Sequence, residues 1–147
     1  MKYCYTACLI VSLAFLSLGA RAAGPATAPA TRPAVRTIAV DEFEKLTKQP
    51  DAVILDVRTP KEFAEGHLPG AVNIDWKAKD FADKVAGLDK GKTYLVHCAL
   101  GGRSHSACEK LGKLDFPNVF NLDGGLMAWQ RAGKLVEKGE GTKGDLK

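Results

Sequence analysis

The sequence predicts an α/β fold, a mostly parallel sheet with helices on both faces, and three observations carry that prediction. Short β-branched runs alternate along the chain with segments that hold helix starts or helical apolar spacing. Several of these runs are apolar at consecutive positions, as strands covered on both faces are. The span that contains them, roughly a hundred residues, is the size of one compact domain and shows no internal repeat.

The first residues stand outside this pattern. Lys2, the apolar run "ACLIVSLAFLSLG" and the small-residue site "ARA" read as a secretory signal over residues 1–22, cut after Ala22 so that the exported form starts at Ala23. An apolar core of about a dozen residues is short for a bilayer span, which needs about 20. A periplasmic or secreted protein, free of the membrane after cleavage, is therefore expected. Cys8 lies at the start of the apolar stretch and nearly all of it comes after the cysteine, which removes a lipid-anchor reading. Of 21 basic residues, cleavage removes Lys2 and Arg21, leaving 19 against 17 acidic ones. A nearly neutral chain without a dense Lys/Arg run gives nucleic-acid binding no support. Cys4 and Cys8 also leave, and the remaining pair, Cys98 and Cys108, is too small for a disulfide framework.

Residues 23–35 contain "GPATAPATRPA" and read as a solvated Pro/Ala-rich linker. The ordered domain is expected over residues 36–136. "RTIAV" opens it as a strand, and Asp41 with Glu44 suggests the cap of a first helix. "AVILDV" is the second strand, and Thr59, Pro60 and Glu62 make a capping box with proline at the first helical position. "AVNI" and "TYLVHC" follow as strands. From Arg103 onward Ala107, Cys108, Leu111 and Leu114 share one helical face. "NVFNL" is the last strand, Gly124 and Gly125 permit a tight turn into the last helix, and Gly133 stops it. Residues 137–147, "EKGEGTKGDLK", offer nothing to bury and are expected to fray as a flexible tail.

Cys98 is the focus of the chemistry. It ends a buried strand, and in open α/β sheets ligands bind beyond the carboxyl ends of strands. Gly101 and Gly102 can take backbone angles closed to other residues, so that successive N–H groups converge into an anion-binding nest around the thiol. The start of the following helix and the Arg103 charge both favour thiolate over thiol. A buried cysteine that packs as a small hydrophobe is the commoner case, but two glycines and an arginine directly after it weigh against that reading here. Cys108 lies on the apolar face of its helix and reads as core. A bridge between the two cysteines would have to reach from loop into helix, which is too long.

Three blocks, "LDVRTPKEFAEGHLPGAVNI", "VHCALGGRS" and "VFNLDGGLMAWQRAG", together resemble the rhodanese domain, the single-domain sulfurtransferase family, from about Ala39 to Gly133. The resemblance implies a five-stranded, mostly parallel sheet and a catalytic Cys98 that carries sulfane sulfur as a persulfide. It also implies a substrate-binding loop of Ala99, Leu100, Gly101, Gly102 and Arg103, followed by Ser104. Tyrosine phosphatases resemble C-x5-R, whereas this loop is C-x4-R, a size that suits a sulfur atom better than a tetrahedral oxyanion. A phosphatase or arsenate reductase is the distant alternative.

Supporting roles fall to Asp56 and Arg58 at the end of the second strand, to Glu62 as a partner of Arg58, and to His67 as a loop-fixing hydrogen bonder. Orientation of Arg103 by Asp56 is a further option. His97 should point away from the thiol, because successive strand side chains face opposite sides. His97, Cys98, His105 and Cys108 do not match zinc-ligand spacing, so neither metal nor cofactor is expected. The expected activity is transfer of sulfane sulfur from a small donor (thiosulfate, or a polysulfide or persulfide) to cyanide or a thiol, a protein thiol among them. A persulfide carrier or binding module with little turnover of its own is the reading from another class. With Ala99 and Leu100 beside the cysteine, Arg103 is the loop's only formal cation, so donors less anionic than thiosulfate are expected to be preferred.

Overall fold

The computed structural model describes residues 35–139. The signal, nearly all of the linker, Cys4, Cys8 and the tail from residue 140 lie outside the described residues. Five strands, β1 (Arg36–Ile38), β2 (Ala52–Asp56), β3 (Val72–Asn73), β4 (Thr93–His97) and β5 (Val119–Leu122), form one sheet in the order β1-β5-β4-β2-β3. All four pairings are parallel. The five helices are α1 (Val40–Thr47), α2 (Pro60–Glu65), α3 (Phe81–Ala86), α4 (Gly102–Lys113) and α5 (Gly125–Arg131).

Strand alternation divides the core into two layers. Leu55, Val57, Tyr94, Val96 and Cys98 pack with Phe81 and Val85 of α3 and with Ala107, Cys108 and Leu111 of α4. On the opposite face Leu95 and Leu122 meet Phe43 of α1, Phe63 of α2, and Leu126 and Trp129 of α5. Every residue of β4 is buried, which is why its sequence is apolar without alternation. Trp129 sits edge-on to Phe43 and donates its indole N–H to Leu135 O at 2.8 Å. It is a core residue.

Four differences from the sequence reading have simple causes. Helix α1 starts one residue before Asp41, at Val40, with Ala39 as its cap and no side-chain capping bond, so Asp41 serves as a first-turn acid instead. Helix α3 carries no strong start signal: its cap, Asp80, makes no side-chain bond, and only Phe81 and Val85 mark its buried face. Of the two glycines after Leu100, only Gly101 takes the left-handed conformation, whereas Gly102 is the first residue of α4. The chain also stays attached beyond residue 136. Glu137 exchanges backbone hydrogen bonds with His67 at 2.8 and 2.9 Å, and Gly139 N–H donates to Ala64 O. Val136 packs into the second core layer and brings this segment alongside the loop after α2.

Candidate active site

Cys98 follows the last residue of the central strand and is 2% exposed. Gly101, at φ 97°, turns the chain so that its own N–H points back at the Cys98 Sγ, 3.1 Å away. The Ser104 hydroxyl lies 3.4 Å from Sγ and 3.0 Å from Gly101 O, with one proton to donate to either. Burial pushes the thiol's pKa up. The Ser104 hydroxyl and the N–H groups of Ser104, Leu100 and Gly101 more than reverse this, so the net direction is down. The loop thus stabilises a thiolate mainly through hydrogen-bond donors. Cys108, in the same core layer, has only its own backbone N–H to lower its pKa. Burial, with a further push from Cys98, drives its thiol up to about 12, which leaves it inert at neutral pH.

A second element holds this loop from behind. Leu126 N–H, at the start of α5, donates to Cys98 O at 2.8 Å, and Met127 N–H donates to Ala99 O at 3.1 Å. Helix N-terminal donors otherwise lack partners, and here the carbonyls of the cysteine loop supply them. The approach requires glycine at 125: a Cβ there would lie 2.5 Å from Cys98 O and 2.8 Å from Ala99 C, and φ is 55°. The "DGG" block therefore clamps the active loop as well as turning the chain, a role its own sequence does not reveal.

The charged residues pair differently from the expectation. Arg58 folds over the residue two positions before it: its Nε donates to both Asp56 carboxylate oxygens at 2.9 Å, and its Nη2 reaches Asp56 Oδ2 and Gly66 O. Asn73 Nδ2 donates to the Asp56 and Arg58 carbonyls, tying β3 to the same corner. Glu62 does not bind Arg58. The capping box turns its carboxylate toward Thr59, whose N–H and hydroxyl both donate to Oε2, and from there it faces the first turn of α4. Arg103 forks onto it, with Nη1 to Oε2 at 2.9 Å and Nη2 to Oε1 at 2.7 Å. The orienting acid for Arg103 is thus Glu62 and not Asp56. The Arg103 guanidinium, ahead of the Thr59 bonds, holds Glu62 far below the usual carboxylate range, and Glu62 pushes Arg103 further up. The nearby Cys98 sulfur acts on Arg103 in the same direction, so the guanidinium senses the thiolate.

His97 faces the second core layer, opposite Cys98, with Nε2 3.7 Å from Asp56 Oδ2. Burial lowers its pKa to about 4, and it is therefore neutral at physiological pH. His67 stacks on Phe63 with ring centroids 3.8 Å apart, and its Nδ1 lies 2.9 Å from Phe63 O. Ala99 is half-buried beside the thiol, while Leu100 and Met127 are 71% and 48% exposed. The loop can present an ionised sulfur from a buried, donor-lined seat and open toward an apolar mouth.

Comparison with known proteins agrees with this fold. The family model described as "Rhodanese-like domain" matches residues 39–132. A sulfurtransferase of Allochromatium vinosum is 31% identical over 98 residues, 67% of this chain and 90% of the relative. The thiosulfate sulfurtransferase GlpE of Pseudomonas putida is 34% identical over 107 residues, covering 73% of this chain and 94% of the relative. The crystal structure of a rhodanese-related protein from Thermoplasma volcanium is similar with a TM-score of 0.63 at 31% identity, covering 69% of this chain and 97% of that one. With the family model spanning residues 39–132 and the fold shared with a rhodanese-related structure, the chain belongs to the rhodanese-like domain family.

Proposed function

We propose that this protein is an exported sulfurtransferase, periplasmic or secreted, in which Cys98 carries the sulfur. The Cys98 thiolate attacks the outer sulfur of a sulfane donor. A bond forms between Sγ and that sulfur, the donor's S–S bond breaks, and the leaving group departs with the electron pair, as sulfite when the donor is thiosulfate. The persulfide rests among the same N–H groups that seat the thiolate. An acceptor thiolate or cyanide then attacks the outer sulfur, the bond to Sγ breaks, and the thiolate is restored. The loop's hydrogen-bond donors favour the ionised form of Cys98, the nucleophile of the first step.

The observation that carries this reading is the Cys98 seat: a single buried sulfur facing the Gly101 N–H and the Ser104 hydroxyl, with its pKa lowered. The test is steady-state transfer by the mature protein. Cys98→Ser should abolish transfer to cyanide, while Cys108→Ser keeps most of it. Equal losses would instead point to a dithiol pair.

A further inference from the structure

We infer that Glu62 sets donor specificity: by neutralising Arg103 it makes the Cys98 site select sulfane donors of low charge over dianionic thiosulfate. The inference rests on the sulfur-transfer reading above and concerns which donor that site takes. Arg103 is the sole formal cation between Cys98 and Ser104. Both of its terminal nitrogens are engaged by one carboxylate. That carboxylate is fixed from its other side by the Thr59 capping box, so it does not swing away to free the guanidinium. Its depressed pKa keeps it ionised across the physiological range.

The cleft beside the pair adds no compensating charge, and the exposed Arg131 near the mouth turns its Nε onto Met127 O. The cleft, of about 260 Å³, is lined by Arg58, Glu62, Glu65, Gly66, Leu126 and Gln130. Arg58 is already held by Asp56 and by Gly66 O, and Glu65 is exposed, so the cleft carries excess negative charge. At the mouth, Leu100 and Met127 present apolar surface. A dianion leaving water for this site loses hydration and finds the loop cation already paired, whereas an organic persulfide or another donor of at most one charge loses less.

Glu62→Gln isolates the charge, because glutamine also completes a capping box. The experiment uses the mature chain, cyanide as acceptor, and two donors with a terminal sulfane sulfur that differ in charge: dianionic thiosulfate, which leaves sulfite, and an arylthiosulfonate monoanion, which leaves the arylsulfinate. Thiocyanate formation gives kcat/KM for each. The ratio of thiosulfate to arylthiosulfonate should rise about tenfold in Glu62→Gln, roughly what one uncovered cation near a partly buried site supplies per unit of donor charge. The monoanion should gain less, the effect should shrink at high salt, and it should vanish when Arg103→Gln is added. Ala99→Arg adds a loop cation without touching the capping box and should move the ratio in the same direction. Because the readout is a ratio within one protein, general damage to the fold does not imitate it. Transfer with a ratio unmoved in both single variants, or saturation of the unmodified protein by micromolar thiosulfate, would overturn the inference alone. No transfer from any donor would overturn the sulfur-transfer reading and the inference with it.

Discussion

Among single residues, the cysteine loop separates what its sequence shows from what it hides. The thiol, its position at a strand end and the need for glycine are local properties, and "CALGGRS" displays all three. Which glycine matters is not local. Gly101 takes φ 97° and brings its N–H to Sγ, whereas Gly102 begins α4, and a Cβ added there would meet nothing within 4 Å. Gly101→Ala should therefore cost about 1–2 kcal/mol in stability from the left-handed backbone alone. Its kcat/KM should also fall, by about tenfold or more, as the N–H bond to the charged sulfur is lost. Gly102→Ala should match the wild-type melting temperature or exceed it slightly, since it restricts the unfolded chain without strain. Thermal unfolding of the two variants side by side checks this, and equal destabilisation would contradict the loop geometry.

Among the strands and helices, the strands were legible because β-branched runs and buried parallel pairing leave a strong local mark. The Thr59–Glu62 capping box was legible for the same reason: both partners lie within one helical turn. Interactions between elements were not. Glu62 lies four residues from Arg58 and 41 from Arg103, so sequence proximity suggested the wrong arginine; the capping box decides the matter by aiming the carboxylate at α4. The same holds for α5, whose first N–H groups bind carbonyls of the Cys98 loop 28 residues earlier. Nothing within "DGGLMAW" reveals that contact. Local chemistry thus marked the Cys98 loop, Arg103 and Glu62, and the packing of α2, α4 and α5 determined which of them touch.

Across the whole molecule, one buried group ties folding to pH. His97 lies in the middle of the fold near Asp56, Arg58 and His67, and neither of its ring nitrogens has a hydrogen-bond partner among the described residues. Its folded pKa of about 4 lies below the ordinary value of 6.5. Between those values the unfolded chain binds a proton that the folded one refuses, so stability rises with pH across that window and falls as the solution is acidified. The slope from this one group approaches about 1.4 kcal/mol per pH unit at most. In urea titrations at several pH values, His97→Leu should show a shallower loss than wild type from pH 6.5 down to about 4. Parallel curves would place the acid sensitivity elsewhere.

Everything proposed for the site depends on sulfur travelling on Cys98, and intact mass spectrometry of the protein after donor treatment, with peptide mapping, reads that out without an acceptor. One added sulfur atom is expected, located on Cys98, absent in Cys98→Ser, present in Cys108→Ser and released by cyanide. An unmodified protein after treatment with every donor, or sulfur found on Cys108 in place of Cys98, would contradict it.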